Sequence, residues 1–138
     1  MDIKERLKQI EVANRMIENK QEEIQRLHDL ATKITVGNTG ERVRKTSNND
    51  KMADLICSAA DLEIELEHDV NNYVNLRKNV MKEIDSLENI DMIDIMYKRY
   101  FQCKKWEKIA EELHMSYRNV IRLHNRALEK LENSEKCH

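Results

Sequence analysis

The chain has 138 residues, 40% hydrophobic and 36% charged, with one Trp, one Phe and no Pro, a balance poor in the aromatic and β-branched runs that strands prefer. Its net charge of −2 conceals an asymmetry: Lys98 to Lys130 carries nine basic and four acidic residues, so this stretch is +5 and the remainder −7. No apolar run approaches about 18 residues, and the opening MDIKERLKQI lacks a signal-peptide core, so a membrane partner or export is not expected and the cytoplasm is the expected setting.

From the amino end, Ile3, Ile10, Ile17, Ile24 and Ala31 recur at seven-residue intervals, with Leu7 and Leu27 between them. This predicts a helix from Asp2 to about Ile34, roughly 50 Å long. Asn14, Gln21 and His28 fall at the other seam positions, where polar side chains weaken packing but can set register and partner number. So narrow an apolar stripe needs a partner. Residues 35–50, TVGNTGERVRKTSNND, hold both glycines and a cluster of Thr, Ser and Asn, and read as a loop. Asn49 or Asp50 would cap the following helix. The basic run Arg42, Arg44 and Lys45 either touches a phosphate backbone or, as such runs more often do, is simply solvated.

The next helix is expected from Lys51 to about Leu87. Met52, Leu55, Ala59, Leu62, Leu66, Tyr73, Leu76, Val80 and Leu87 follow three- and four-residue steps, broken at Asp69 and Glu83, with Val70 and Ile84 one position later. A sustained 3.5-residue period is a coiled-coil signature. The simplest assembly folds residues 1–87 into an antiparallel helical hairpin. A homo-oligomeric coiled coil would use the same seam, and the sequence does not choose between them. A third helix, Met92 to Phe101 with Asp91 as its cap, presents Ile93, Met96, Tyr97 and Tyr100 on one face.

Trp106 to Leu131, WEKIAEELHMSYRNVIRLHNRALEKL, then reads as two helices separated by Leu113-His114-Met115-Ser116. Ile109, Ala110 and Leu113 form the buried stripe of the first, and Val120, Leu123, Ala127, Leu128 and Leu131 that of the second. Ser116 stands at the N-cap position, with its hydroxyl placed to accept from the Asn119 N–H. Arg118, Arg122 and Arg126 succeed one another at four-residue steps on the opposite face. Trp106 could be a base-stacking platform, but its place one turn before Ile109-Ala110 favours the core. A short helix, a tight turn and a longer basic helix make a helix-turn-helix over about residues 90–133, with a tail at 134–138.

Trp106, Ile109-Ala110, Leu113, Ser116, Val120 and Arg126-Ala127-Leu128, with Tyr97-x-Arg99-Tyr100 upstream, resemble region 4 of bacterial sigma-70 factors and of small phage regulators related to them. A weaker likeness over most of the chain is to uncharacterised phage and prophage proteins of Gram-positive bacteria. The turn departs from the pattern in carrying His114 where Gly is usual. The positions that approach bases in sigma factors hold Tyr117, Arg118 and Arg122, so the promoter element read need not be a housekeeping one. The resemblance implies contact with double-stranded DNA and with RNA polymerase, as a sigma-like factor or an activator. No segment like the sigma region that melts DNA is visible, which favours the activator.

Cys57, Cys103 and Cys137 and the five histidines lack the spacing of a zinc site, and no phosphate loop, nucleophile elbow or His-Glu-x-x-His motif is present. Neither an enzyme nor a metal or other cofactor is expected. The expectation is therefore an all-α chain: a coiled-coil-like hairpin and a sigma region-4-like helix-turn-helix, acting as a sequence-specific transcriptional regulator. Tyr117, Arg118 and Arg122 are the candidate base contacts, and Lys104, Lys105, Asn119 and Arg126 the candidate backbone contacts. Two other classes fit the same pattern: a phage DNA-packaging protein of the small-terminase kind, and a helical adaptor that does not bind DNA.

Overall fold

The computed structural model describes residues 2–36 and 45–136. These are all-α, with no strand among the described residues: α1 (Ile3–Val36), α2 (Lys45–Asp85), α3 (Ile90–Met96), α4 (Trp106–Leu113) and α5 (Tyr117–Lys136), with a π-helical turn, Tyr97–Phe101, continuing α3. Among the described residues no helix is long and apolar enough to cross a membrane. The chain divides into two compact units, one of Met1–Asn14 with Tyr73–His138 and one of Arg15–Asn72.

In the Arg15–Asn72 unit the expected seam is the buried one. Ile17, Ala31 and Ala59 are buried, and Ile24, Leu27, Leu55, Leu62 and Leu66 are half-buried. The two helix segments run antiparallel, because later positions on α1 meet earlier positions on α2: Lys20 pairs with Asp69 and Glu65, and His28 Nε2 lies 3.3 Å from Glu63 Oε1. Eight of the sixteen residues expected in the loop are helical. Residues 37–44, with Arg42 and Arg44, lie outside the described residues, whereas Thr35 and Val36 end α1 and α2 opens at Lys45 instead of Lys51. Asn49 and Asp50 are therefore exposed positions inside a helix and cap nothing. KTSNND contains neither Gly nor Pro, and extending a helix already nucleated costs little even for indifferent formers.

The other unit is built around a core that draws on every helix. Ile3, Leu7 and Ile10 of α1 and Val80 and Ile84 of α2 are each at most 1% exposed, and they join Met92, Ile95, Met96, Ile109, Val120 and Ala127 in one cluster. The compact unit thus begins well before residue 90. α1 is started by Asp2, whose Oδ1 accepts from the Glu5 N–H at 2.8 Å. α2 stops at Asp85, short of Leu87, where the Ser86 hydroxyl and N–H both turn back to the Glu83 carbonyl. Leu87 nevertheless stays buried.

α3 starts two residues earlier than expected and is capped by Asn89, whose Oδ1 accepts from the Met92 N–H at 3.2 Å; Asp91 falls in its first turn. An Asp at N2 still suits the positive end of the helix, so the local signal was real but displaced. Ile95, absent from the expected apolar face, is fully buried beside Met92 and Met96. The widening to a π turn at Tyr97–Phe101 rotates the end of the helix, so that Tyr97 and Tyr100 are only partly buried and Phe101 reaches the core.

Arg6 ties three helices of this unit together. Its guanidinium pairs with Glu83 of α2 and Glu135 of α5, and Glu135 also accepts from the Ile3 N–H at 3.2 Å. The hydrogen bond to Glu83 is the first cause holding the guanidinium charged, against the opposing effect of burial. Removing one member of a partly desolvated cluster leaves the others uncompensated. Arg6→Met is expected to cost about 1–3 kcal/mol and to lower the melting temperature. Arg6→Met/Glu83→Gln should recover part of that loss in the same thermal melts, because it removes one stranded carboxylate.

Candidate nucleic-acid interface

α4, the three residues His114–Ser116 and α5 carry most of the candidate contact residues, with Lys104 and Lys105 just ahead of α4. α4 holds Ile109 and Ala110 buried with Leu113 partly so, and α5 returns Val120, Leu123, Ala127 and Leu131 to the same core, with Leu128 at its edge. Ala110 lies in the packed region between the two helices, where a small side chain permits close approach.

The turn closes by two backbone bonds, Met115 N–H to the Ala110 carbonyl at 3.0 Å and His114 N–H to the Glu111 carbonyl at 3.3 Å. This is the Schellman arrangement, which places its C′ residue in the left-handed region. That residue is His114, with φ 55° and ψ 42°, where Gly would carry no Cβ penalty. Two residues later the Ser116 hydroxyl accepts from the Asn119 N–H at 3.1 Å, as the capping pattern predicts. The same left-handed geometry recurs at Cys103, φ 55°, between the π turn and α4.

The seven sequence-derived contact residues do not behave alike. Tyr117, at the first position of α5, is 51% exposed, and Arg118, Arg122 and Arg126 are all exposed along that helix. Arg118 and Arg126 carry no ion pair among the described residues. Arg122 is oriented from its own helix: its Nε and one Nη donate to Asn119 Oδ1 at 3.2 and 2.7 Å. Asn119 and Arg122 are therefore one unit, with the Asn119 amide N–H groups and the outer guanidinium face left toward solvent.

Lys105 and Lys104 differ more sharply. Lys105 is exposed at the N-cap of α4 in an extended conformation and makes no side-chain cap bond, so the first amides of α4 lack a side-chain acceptor. Lys104 is engaged within the module: its ammonium lies 2.8 Å from Glu112 Oε2, and Lys98 reaches the same oxygen at 3.3 Å. The Lys104 hydrogen bond is the main reason the Glu112 carboxyl is held below its ordinary range. Two of the nine basic residues between Lys98 and Lys130 are thus engaged with one of the four acidic residues of that stretch.

Sequence reasoning missed His124. It is 8% exposed, on the core side of α5, with Nε2 2.7 Å from the Tyr100 hydroxyl, and it meets the Trp106 ring edge-on at 4.6 Å between centroids. Trp106 is only partly buried; its face is covered by the Arg99 guanidinium at 4.4 Å, and Arg99 also donates to the Lys104 carbonyl at 3.1 Å. Burial pushes the His124 imidazole down, the Arg99 charge adds to that, and the Asn125 side chain opposes it. Burial likewise pushes the Tyr100 phenol up to about 12. Hydrophobic periodicity would have marked position 124 only by its place between Leu123 and Ala127.

Two consequences can be measured. His114→Gly removes a strained Cβ and is expected to stabilise the fold by about 1 kcal/mol, seen as a raised melting temperature with unchanged circular dichroism. His124 is neutral in both folded and unfolded chains at high pH. Below about pH 6.5 the unfolded chain takes up a proton that the folded one resists, so stability should fall as the pH drops toward 5.5. His124→Gln should flatten that part of the stability profile, measured as the difference between the two proteins in urea titrations.

Among the described residues no group of His, Cys, Asp and Glu side chains is placed to hold a metal ion. Compared with protein-family models, curated proteins and solved structures, the chain has no significant match.

Proposed function

We propose that this protein is a sequence-specific double-stranded DNA-binding regulator of transcription, with α4, the turn and α5 acting as a helix-turn-helix. The observation that carries the reading is the division of α5 into two faces. Val120, Leu123, Ala127 and Leu131 are turned to the core, while Tyr117, Arg118 and Arg122 stand exposed over its first two turns. In this motif the N-terminal part of the second helix enters the major groove, where arginine can bond guanine bidentately and Tyr can contact a base edge or a phosphate.

Backbone contacts complete the arrangement. The uncapped amides at the start of α4 and the exposed Lys105 suit a phosphate, since a helix N-terminus favours an anion. Arg126 lies a further turn along α5 and suits a phosphate as well. Asn119 serves chiefly by orienting Arg122, and Lys104 chiefly by neutralising Glu112, so both rank below Lys105 as phosphate ligands. The likeness of Trp106–Leu128 to sigma region 4 supports a phage or prophage regulator that meets RNA polymerase, and an activator over a complete sigma factor.

A random-pool selection of bound duplexes tests the reading and supplies the site. Against that site and a scrambled duplex, Arg118→Ala and Arg122→Ala are each expected to lose about 1–3 kcal/mol on the specific site alone. Arg126→Ala should weaken both duplexes alike and lower the salt slope by about one. No enriched sequence and no retention of DNA at low salt would reject DNA binding and leave the adaptor class. Equal losses on both duplexes for Arg118 and Arg122 would reduce the arginine face to an electrostatic grip.

A further inference from the structure

α2 carries a second apolar face that its seam with α1 does not use. Ile56 is 47% and Ile64 69% exposed, and Ala53, Cys57 and Ala60 are exposed between and beside them. At about 100° per residue these five positions fall on one side of the helix, away from Leu55, Ala59, Leu62 and Leu66. An isolated exposed isoleucine is ordinary, but two joined by small residues over three turns form a contiguous strip of helix surface.

The borders of the strip carry one sign of charge. Glu63 and Glu67 flank it on one side, Glu63 at the edge where it also meets His28 of α1, Asp54 and Asp61 on the other, and all four are exposed. Between Asp50 and Asn72 there are seven Asp or Glu residues and one Lys, Lys51, which points away from the strip. An isologous pairing of this face with a second copy would set carboxylates against carboxylates, which is unfavourable. The charge pattern therefore selects a partner of the opposite kind.

We infer that the Ala53–Ile64 face of α2 is a docking surface for an amphipathic α-helix of another protein, one whose apolar stripe is bordered by Lys and Arg. Its aliphatic side chains would cover Ile56 and Ile64, with the small Ala53, Cys57 and Ala60 letting the helices approach. Its basic borders would meet Asp54, Asp61, Glu63 and Glu67, giving orientation and a faster encounter more than raw affinity. The inference does not depend on DNA binding by α5.

The test uses the full chain and labelled peptides of about 18 residues, long enough to become helical on binding. One has a leucine stripe bordered by lysines, one the same stripe bordered by glutamates, and one is a scramble of the first. Fluorescence anisotropy is expected to show the lysine-bordered peptide binding at least about tenfold more tightly than either control, with affinity falling as salt rises. Ile56→Ser/Ile64→Ser should weaken it by about tenfold or more while circular dichroism is unchanged, because both side chains are already exposed. Glu63→Lys/Glu67→Lys should shift preference toward the glutamate-bordered peptide. Equal binding of the scramble, or indifference to the two serine substitutions, would overturn the proposal by leaving charge alone as the cause. So would sedimentation showing a dimer that Ile64→Ser dissociates, since a second copy would then be the occupant.

Discussion

Ile3, Leu7, Ile10, Val80 and Ile84 are almost entirely shielded from water, and they are shielded by the same set of side chains that shields Ile95, Ile109 and Val120. A unit made of α3, α4 and α5 alone would bury little surface, and domains that small are marginal. Adding the first turns of α1 and the last of α2 supplies aliphatic side chains worth about 1.5–3 kcal/mol each when fully buried. The position of α5, and with it the arginine face, therefore depends on residues at the far end of the sequence. Arg6 makes the same connection through charge, since one guanidinium meets carboxylates from α2 and α5.

Within that frame, electrostatics sorts the basic residues into two groups. Lys98 and Lys104 converge on Glu112, and Arg99 lies over Trp106 and bonds a carbonyl. These cations hold the π turn, the adjoining loop and α4 together. Lys105, Arg118, Arg122 and Arg126 remain exposed, and only such groups can release counterions from a polyanion without first breaking a protein contact. A count of basic residues taken from sequence overstates the cations available to a polyanion for this reason.

The turns carry strain that their residues are poorly suited to absorb. His114 and Cys103 both adopt φ 55° with a Cβ present, a conformation that favours Gly. The Schellman bonds and the Ser116 cap at one turn, and core packing on both sides, hold His114 there. A turn so constrained fixes the angle at which α5 leaves α4, and with it the direction in which the outer face of α5 is presented.

Local and periodic features were readable from the chain itself. The seven-residue repeat of α1, the α2 seam, the break between α4 and α5, the Ser116 cap and the inward face Val120–Leu123–Ala127–Leu131 each depend on residues within a few turns of one another, so helix geometry alone determines them. Helix ends were less legible: α2 opens at Lys45 and Asn89 caps α3, because several polar residues in a row offer competing caps and only packing selects one. Three features belonged to tertiary structure alone. His124 is buried because Tyr100 and Trp106 close over it, Lys104 is engaged because Glu112 faces it from α4, and residues 1–14 share a core with α3–α5. Each joins groups that periodicity on a single helix cannot relate, since a helical pattern says which face is inward but not what it will meet there.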